Sequence, residues 1–599
     1  MKIAELAAIP VNLTGDFRAA ESHLLDLDKH LTRRTYFDGY RLSEIDEKIW
    51  VVLASNRATV PFIHKEKLAN LTRWFLYVEQ PHPEIHQDVK EAQAAVAVKL
   101  VAASKAGGSY SLQLQNVDQG VVTRFLPKPS GYLQIRHAKA ALLSYYFAHQ
   151  AYSCSFRLRQ DDTNPTKEKE EYQDAIIEDL AWMGIHADKL TYTSDYFQYL
   201  FDKCVQLIED GNAYADDTDQ ETMRAECMDG IASKRRDRSV EENLRILEEM
   251  EVASPEGRQN CIRAKVSVDN PTKAIRDPVI YRVNTAKKHH RTGTDWKIYP
   301  MYDLACPIID NLEGITHALR STEYTDRNVL YQWFLEKLNL RIVYMHDFSR
   351  LSFVRTSLSK RKLAKLVDTG TVTGWNDPRM PTVRGIRRRG MTVSALNDFI
   401  IKQGPSQNIT AMEWCAILAA NKAVIDPIAP RYTAVSRKDL VKVSAIETEG
   451  PMEPFIADRL LHPKNKDVGT RKVVFDSEIL MDQVDMKLMR TGEEITLIVN
   501  MTLELNLSGD SKKTDKKVTW LASKGQKFIP AEAWQFYDII IKDKLEKEDN
   551  FEDFLAPVMA TKEDLWCAEN ISNVKKDAII QLERGTFYRV DKGLADWVD

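Results

Sequence analysis

The sequence has little cysteine and no long hydrophobic run. Its 599 residues include 7 cysteines, and none of them forms a Cys-x-x-Cys pair. A disulfide framework or a four-cysteine zinc site is therefore not expected, whereas a reducing compartment is. No stretch of about 18 uncharged apolar residues occurs, which predicts that the chain has no membrane span. The first 20 residues lack the pattern of a signal or transit peptide, so we expect a cytosolic protein.

Charge of neither sign is in excess. Lys and Arg number 83 and Asp and Glu 87, for a net charge of −4, and apolar residues make up 44% of the chain. This composition excludes collagen-like, low-complexity and wholly disordered chains. It leaves nucleic-acid binding open, because such binding depends on local basic patches. At about 100–200 residues per domain, the length predicts about three to five domains.

The first part of the chain reads as helical. Residues 1–105 include an Ala-rich segment at 91–105, which favours helix. In the segment 67–79, apolar residues recur at helical spacing: Leu68, Leu71, Trp74, Phe75 and Val78. The pair Gly107 and Gly108 then breaks the pattern, and residues 106–120 look like a linker.

The middle and the end of the chain differ in their predicted secondary structure. Strand and helix signals alternate over 121–225. Strands predicted at 121–125 and 155–158, and helices at 134–150 and 168–183, indicate a β-α-β unit and a parallel sheet. From about residue 425, short β-branched runs are separated by Gly, Asp and Asn, which favours β-barrels. These runs lie at 471–475, 478–481 and 495–501.

Two segments carry chemistry. In residues 123–137 a strand runs through the Pro/Gly turn at 127–131 into a helix N-terminus, which presents backbone N–H groups to an anion such as phosphate. Residues 357–363 read Ser-Leu-Ser-Lys-Arg-Lys-Leu and are expected to form a loop. A mobile lysine there suits the charge that develops on a phosphate. On residue type alone, an ordinary turn and a solvated basic loop remain open for the two segments.

The two segments resemble the two signature motifs of class I aminoacyl-tRNA synthetases. Residues 159–165, 297–327 and 381–390 resemble the glutamyl/glutaminyl branch, and within it the eukaryotic-type cytosolic glutamyl enzymes. The resemblance implies a multidomain α/β plus all-β fold. The implied domains are a glutathione-transferase-C-like helical interaction domain (1–105), a linker (106–120), a Rossmann-like catalytic domain (121–350) with an acceptor-binding insertion (about 226–300), a motif loop and helical connecting subdomain (351–424), and β-barrel anticodon-binding domains (425–599).

The implied activity is ATP-dependent ligation of L-glutamate to tRNA-Glu through a glutamyl-adenylate. ATP would bring Mg²⁺ with it, and no residue is assigned as a separate metal ligand. His137 and Lys360 would be catalytic, because they stabilise phosphate charge. The implied ATP-binding residues are Pro129, Gly131, Gln134, Arg136, His137, Ser359 and Lys360.

The resemblance also implies an amino-acid pocket. Arg124 would hold the α-carboxylate or the side-chain carboxylate, Asp161 the ammonium group, and Tyr302 would line the pocket. Glutamyl enzymes place a positive charge opposite the substrate side chain, and Arg320 matches that position. A guanidinium grips a carboxylate through two charge-assisted hydrogen bonds, so Arg320 favours glutamate over glutamine. The alternative for Arg320 is a surface salt bridge with Glu323.

Macromolecular partners follow from the same resemblance. An arginine-rich segment would contact tRNA phosphates through Arg384, Arg387, Arg388 and Arg389. In the C-terminal region Trp520, Trp534 and Phe536 are possible stackers for anticodon bases, with core packing the favoured alternative for each. The N-terminal domain would dock other synthetases or a tRNA-binding cofactor protein.

Three positions depart from the family pattern. Residues 134–137 read Gln-Ile-Arg-His where the family has His-Ile-Gly-His, residues 127–129 read Pro-Lys-Pro where it has Pro-Glu-Pro, and Gln160 replaces a Phe. A glycine lets the backbone approach a nucleotide closely, and Arg136 does not. In one interpretation, local rearrangement or lateral placement lets Arg136 and Lys128 contact phosphate, and activity survives. In the other, ATP binding is weakened, and the chain is slow or is a catalytically silent tRNA-binding or scaffold homologue. A glutaminyl-tRNA synthetase is a further alternative, against which Arg320 speaks.

Overall fold

A computed structural model describes most of the chain. The described residues are 17–55, 68–79, 114–118, 120–166, 168–356, 359–408, 411–444, 453–487, 496–497, 501–502, 517–546 and 548–594. The chain divides into two compact units, one made of residues 1–105, 353–396 and 413–599 and the other of residues 106–352 and 397–412. Of the described helices, none is long and apolar enough to cross a membrane.

Helices occur in both units. In chain order they are α1 (Phe17–His30), α2 (Glu44–Ser55), α3 (Ala69–Glu79), α4 (Ile135–Tyr145), α5 (Glu170–Trp182), α6 (Phe197–Glu209), α7 (Gln220–Asp229), α8 (Val240–Val252), α9 (Tyr302–Leu312), α10 (Asn328–Lys337), α11 (Lys360–Asp368), α12 (Val383–Arg388), α13 (Val393–Gln403), α14 (Trp414–Ile425) and α15 (Gln483–Lys487).

Among the described residues, the first strand follows residue 120. In chain order they are β1 (Thr123–Phe125), β2 (Phe156–Gln160), β3 (Lys189–Tyr192), β4 (Ala213–Asp216), β5 (Cys261–Ala264), β6 (Val279–Val283), β7 (Ile298–Pro300), β8 (His317–Ser321), β9 (Tyr344–Phe348), β10 (Ser352–Phe353), β11 (Ala411–Met412), β12 (Arg431–Tyr432), β13 (Ala434–Ser436), β14 (Leu440–Ser444), β15 (Phe455–Leu460), β16 (Thr470–Phe475), β17 (Glu478–Asp482), β18 (Thr496–Leu497), β19 (Met501–Thr502), β20 (Lys517–Val518), β21 (Trp520–Ala522), β22 (Ile529–Phe536), β23 (Ala560–Cys567), β24 (Ile579–Leu582) and β25 (Phe587–Arg589).

A parallel sheet organises the unit that contains residues 106–352. Strands β1, β2 and β3 pair in parallel in that order, and β8 pairs in parallel with β9. The amides of Thr316 and His317 donate to the carbonyl of Val122 at 3.0 and 3.2 Å, so β8 lies beside β1. The resulting strand order is β3-β2-β1-β8-β9. Successive strands are added on one side of β1 up to β3 and on its other side from β8 onwards, so a switch point lies between β1 and β8. In doubly wound sheets this switch point opens the crevice in which ligands bind, at the carboxyl ends of the strands.

The predicted β-α-β unit is confirmed. Helix α4 connects β1 to β2, and α5 connects β2 to β3. Helix α4 continues into a π-helical turn at Tyr146–Ala151, so the predicted helix over 134–150 has nearly its predicted length. Alternating strands and helices produce a parallel sheet here because each return crossing needs a helix on the sheet face.

A second sheet lies within the same unit. Strands β4 to β7 form an antiparallel sheet of 4 strands in sequence order. Its core contains Leu200, Leu207, Ile246 and Ile262, which come from α6, α8 and β5. Helix α8 begins after its N-cap Ser239, whose hydroxyl oxygen accepts a hydrogen bond from the backbone amide of Glu242 at 3.2 Å.

The described part of 1–105 is helical, as predicted. The five residues of the segment 67–79 that recur at helical spacing are all buried. The buried carboxylate of Asp46 joins the helices, because its Oδ1 accepts hydrogen bonds from Trp74 Nε1 and from the amide of Phe37, both at 2.9 Å. The Ala-rich segment 91–105 and most of the predicted linker lie outside the described residues.

Strands dominate after residue 430, as the short β-branched runs predicted. The runs at 471–475 and 478–481 are β16 and β17, and β18 and β19 fall in and beside the run at 495–501. In the described part of this region, each sheet has 2 or 3 strands.

Candidate active site

The turn between β1 and α4 carries the first predicted motif. Gly131 has φ +148°, a backbone conformation that favours glycine. Helix α4 starts at Ile135 after the N-cap Gln134, whose amide donates to His137 Nδ1 at 3.2 Å. The side chain of Gln134 is fully buried, and within the described ranges neither of its polar atoms has a hydrogen-bond partner. The start of the helix therefore contains a buried side-chain carboxamide whose polar atoms are available to a polar ligand.

Arg136 follows on the first turn of α4. Its side chain is half-buried, and its Nε is buried without a hydrogen-bond partner among the described residues. Burial lowers the pKa of Arg136, the charge of Glu323 opposes that shift, and the charge of Arg350 adds to it. Arg136 therefore lies close to the ion pair between Glu323, which follows β8, and Arg350, which follows β9.

Arg124 on β1 is engaged by a carboxylate. Its buried guanidinium donates through Nε to Asp310 Oδ2 at 3.1 Å and through Nη1 to the carbonyl of Leu319 at 3.1 Å. The third nitrogen, Nη2, lies 3.7 Å from Cys306 Sγ. Although burial opposes it, the charges of Arg124 and Arg159 hold the pKa of Asp310 below its ordinary value.

Sequence reasoning missed the residues that hold Arg124. Asp310 also accepts from Arg159 Nη2 at 2.5 Å and from Tyr331 Oη at 2.8 Å, and Arg159 Nη1 donates to Glu313 at 2.8 Å. Two buried guanidinium groups are thereby matched by two carboxylates. Arg159 and Asp310 lie inside segments that resemble the family, but their pairing across 151 positions left no signal in the sequence.

Arg320 on β8 is in a different electrostatic situation. It is 5% exposed, and within the part of the chain that the structure describes no carboxylate lies within 4.0 Å of its guanidinium. Its guanidinium lies 5.0 Å from the ring centre of Tyr324 and 5.5 Å from that of Tyr331. The alternative of a salt bridge with Glu323 is wrong, because Glu323 pairs with Arg350.

Asp161 and Tyr302 meet at Lys128. Asp161 follows β2 and is buried, and its Oδ1 accepts a hydrogen bond from the Thr163 hydroxyl at 3.0 Å. The ammonium of Lys128 lies 3.4 Å from Asp161 Oδ2 and 5.5 Å from the ring centre of Tyr302. The Asp161 carboxylate raises the pKa of Lys128. The ring of Tyr302 lies 5.3 Å from that of Tyr324, which connects this group to Arg320.

A second carboxyl lies beside Asp161. Glu168 is buried and its Oε2 accepts the amide N–H of Asn164 at 2.8 Å. Burial and the neighbouring charge of Asp161 raise the pKa of Glu168 to about 9. The carboxyl of Glu168 is therefore protonated at neutral pH.

The lysine-rich motif belongs to the other compact unit. The expectation of a loop at 357–363 is wrong for its second half, because Lys360 begins α11 with Ser359 as its N-cap. Leu363 and Leu366 are buried in a cluster with Ile539, so apolar spacing on one face makes this stretch a helix. Ser357 and Leu358 lie outside the described residues.

The arginine-rich segment is only partly exposed. Arg384 and Arg387 lie on α12, and Arg387 is exposed. Arg388 forms a bidentate pair with Asp591 at 2.8 and 2.5 Å. Arg389 donates to the carbonyl of Phe536 at 3.4 Å, and its guanidinium lies 5.7 Å from the ring centre of Trp414. These last two arginines therefore also hold their own unit together.

The C-terminal aromatic residues divide between core and surface. Trp520 is 3% exposed and packs on Phe475, as the core alternative predicted. Trp534 is 47% exposed and stacks on Phe536 with ring centres 6.4 Å apart, so the core alternative is wrong for Trp534. The side chain of Trp534 is on the outer face of β22 because alternate residues of a strand face opposite ways.

Three family descriptions match the chain in series. Residues 120–427 match "tRNA synthetases class I (E and Q), catalytic domain". Residues 429–519 and residues 517–591 each match "tRNA synthetases class I (E and Q), anti-codon binding domain". The catalytic match includes both the parallel sheet and the helix that begins at Lys360.

The chain is also similar to curated proteins over nearly its whole length. A Schizosaccharomyces pombe protein named "probable glutamate–tRNA ligase, cytoplasmic" is 48% identical, and the match covers 96% of this chain and 82% of that protein. A Saccharomyces cerevisiae protein named "glutamate–tRNA ligase, cytoplasmic" is 47% identical, with 96% and 84% covered. A Cricetulus griseus protein named "bifunctional glutamate/proline–tRNA ligase" is 39% identical, with 96% of this chain and 39% of that protein covered.

Proposed function

The chain belongs to the glutamate and glutamine branch of the class I aminoacyl-tRNA synthetases, and on this basis we propose that it joins L-glutamate to tRNA-Glu. The reaction consumes ATP, passes through a glutamyl-adenylate, and releases pyrophosphate and AMP. The relatives that are 48% and 47% identical are both named as cytoplasmic glutamate–tRNA ligases. We propose the same compartment for this chain.

The buried charge of Arg320 is the observation that favours glutamate. A buried cation without a carboxylate partner is costly, and a ligand carboxylate would remove that cost. Arg124 is not an unpaired buried cation, because the carboxylate of Asp310 already neutralises it. Arg320 therefore suits the side-chain carboxylate of glutamate, and glutamine would leave its charge unmatched.

The adenylation step needs positioning and charge stabilisation rather than a covalent nucleophile. The carboxylate of glutamate attacks the α-phosphorus of ATP, and pyrophosphate leaves. The buried side-chain carboxamide of Gln134 and the start of α4 support a nucleotide site that includes Pro129, Gly131 and His137. We place Arg136, Ser359 and Lys360 in the same role of contacting phosphate. Mg²⁺ would enter with ATP and offset part of the phosphate charge.

The amino-acid pocket is proposed from the residues around Tyr302. Asp161 holds the ammonium group of the substrate and Tyr302 lines the pocket. Arg124 contacts a substrate carboxylate through Nη2, whose contact with Cys306 Sγ at 3.7 Å is the longest of the contacts that its three nitrogens make.

The finer architecture is also a proposal. We propose a Rossmann-like catalytic domain at 121–350 with an acceptor-binding insertion, a connecting subdomain at 351–424, and β-barrel anticodon-binding domains at 425–599. In the first, the order β3-β2-β1-β8-β9 supports the assignment. We propose that Arg384, Arg387, Arg388 and Arg389 contact tRNA phosphates, with Arg387 the most exposed of them.

Residues 1–105 are proposed as a glutathione-transferase-C-like docking domain. Helices α1 to α3 with their shared buried residues support a small helical domain. Its partner would be another synthetase or a tRNA-binding cofactor protein. One relative is named as bifunctional for glutamate and proline, so a glutamyl enzyme joined to a second synthetase has a precedent in that protein.

A catalytically silent tRNA-binding protein is the second candidate. Arg136 at the start of α4 and Lys128 beside Asp161 favour it, because each puts a cation where the family has none. Charging of total cytosolic tRNA with labelled glutamate, and separately with labelled glutamine, distinguishes the candidates. Glutamate incorporation alone would support the proposal, whereas incorporation of neither amino acid with intact tRNA binding would support the silent protein. In that case the double variant Gln134→His with Arg136→Gly should restore activity.

A further inference from the structure

Lys128 lies where a substrate ammonium group is expected. Its Nζ is 3.4 Å from Asp161 Oδ2 and 5.5 Å from the ring centre of Tyr302. The other oxygen of Asp161 is engaged by the Thr163 hydroxyl at 3.0 Å, so Oδ2 is the oxygen that faces Lys128. The chain thus places a primary ammonium of its own on the carboxylate to which the proposed function assigns the α-ammonium of glutamate.

The backbone keeps Lys128 within reach of Asp161. The amide of Asp161 donates to the carbonyl of Pro127 at 2.9 Å, and the amide of Ser130 donates to the carbonyl of Lys128 at 2.8 Å. The first bond ties the turn before α4 to the end of β2, and the second lies within that turn. The side chain itself is 47% exposed, and its flexible four-carbon stem allows the ammonium to leave without moving the turn.

Charge makes simultaneous occupancy unfavourable. The carboxyl of Glu168, which also lies near Asp161, has its pKa raised by burial and is protonated at neutral pH. Asp161 and Lys128 therefore already form a neutral pair. A second ammonium would meet a like charge at short range, and the two cations would repel each other.

We propose that the ammonium of Lys128 competes with the α-ammonium of glutamate for the Asp161 carboxylate, so that Lys128 sets the affinity of the pocket for its amino acid. Lys128 is an affinity-determining residue in this scheme. Lys128 lowers the affinity for glutamate only because its ammonium group competes with the α-ammonium group of glutamate. The inference rests on the proposed function, because that function assigns Asp161 to the substrate.

Glutarate provides the test, because it has both carboxylates of glutamate and no ammonium group. Binding of labelled glutamate, and its displacement by glutarate, is measured on the full chain with tRNA present. The variant is Lys128→Met, which keeps the stem and removes the charge. The control is Lys169→Met, since Lys169 is another exposed lysine, 5.7 Å from the ring centre of Tyr172.

Lys128→Met should bind glutamate about two- to fivefold more tightly, which is the range of a partly exposed ion pair. Glutarate should bind Lys128→Met no better than the wild type, and Lys169→Met should match the wild type for both ligands. Weaker binding of both ligands would overturn the inference, since Lys128 would then hold a substrate carboxylate. Equal tightening of both ligands would also overturn it, because the ammonium group would not be the competitor.

Binding without turnover separates this inference from the proposed function. If the chain charges no tRNA but Lys128→Met binds glutamate more tightly and glutarate no better, the proposed function fails and the competition stands. If glutamate is charged but the two ligands respond alike, the proposed function stands and the competition fails.

Discussion

The guanidinium of Arg124 contacts both oxygens of Asp310, with Nε to oxygen distances of 3.1 and 3.3 Å, and both residues are buried. The two residues are 186 positions apart in the chain. This pair leaves Arg320, rather than Arg124, as the buried guanidinium that lacks a carboxylate among the described residues. In the proposed function, Arg320 is therefore the arginine that we expect to receive the side-chain carboxylate of glutamate.

Replacement of Asp310 by Asn should destabilise the fold. It would leave the buried guanidinium groups of Arg124 and Arg159 with only the carboxylate of Glu313. Breaking a buried ion pair by removing one partner costs about 3–5 kcal/mol. Urea unfolding of Asp310→Asn measures the loss, with Glu256→Gln as the control, because Glu256 pairs with Arg245 on the surface. Equal urea midpoints of unfolding for Asp310→Asn and Glu256→Gln would contradict the role of Asp310 in stabilising the buried arginines.

Replacement of Arg320 by Gln should reduce charging with glutamate far more than it reduces tRNA binding. Loss of a buried charge-assisted pair with the substrate carboxylate costs about 2–5 kcal/mol, which corresponds to a fall of about 30-fold or more in kcat/KM for glutamate. Charging kinetics and a tRNA binding assay measure the two effects. Arg245→Gln controls for loss of an arginine at an exposed position of the same unit. If charging and tRNA binding fall together, Arg320 is not a pocket residue.

Replacement of Lys360 by Ala should slow formation of the adenylate. A lysine that stabilises developing phosphate charge contributes about 100- to 1,000-fold to such a rate. Exchange of labelled pyrophosphate into ATP, with tRNA and glutamate present, measures this step. Lys365→Ala is the matched control, because Lys365 lies on the same helix and pairs with Glu552 at the surface. An unchanged exchange rate for Lys360→Ala would remove Lys360 from the mechanism.

Glu168 should make the fold less stable as the pH rises. Its pKa is raised to about 9 by burial and by Asp161, above that of an unfolded glutamate, so the folded chain holds this proton more tightly. The stabilisation is complete below the unfolded pKa and is lost as the pH approaches 9, by up to about 1.4 kcal/mol per pH unit.

The variant Glu168→Gln tests this dependence, because glutamine resembles the protonated carboxyl. Urea midpoints of the wild type should fall between pH 6 and pH 9 relative to those of Glu168→Gln. Glu170→Gln, at an exposed position two residues along, controls for the substitution. Parallel pH profiles for the wild type and Glu168→Gln would show that Glu168 titrates normally.

The family resemblance and the β-α-β unit could be predicted from the sequence, because both depend on residues that are close together in the chain. Strand and helix periodicity is local, and it identified β1, α4, β2 and α5 nearly to their ends. The turn between β1 and α4 was predictable for the same reason. The second half of the motif at 357–363 was wrongly expected to be a loop, since the helix from Lys360 depends on burial of Leu363 and Leu366 against residues near 540.

Sequence alone determined the family, the order of the elements and the residue types of the site, since these are properties of a linear pattern. Only the tertiary structure decided how charges are matched within that site. It paired Arg124 with Asp310, left Arg320 without a carboxylate among the described residues, and set Lys128 on Asp161. Electrostatic interactions depend on distance and burial in space, and separation along the chain contains neither.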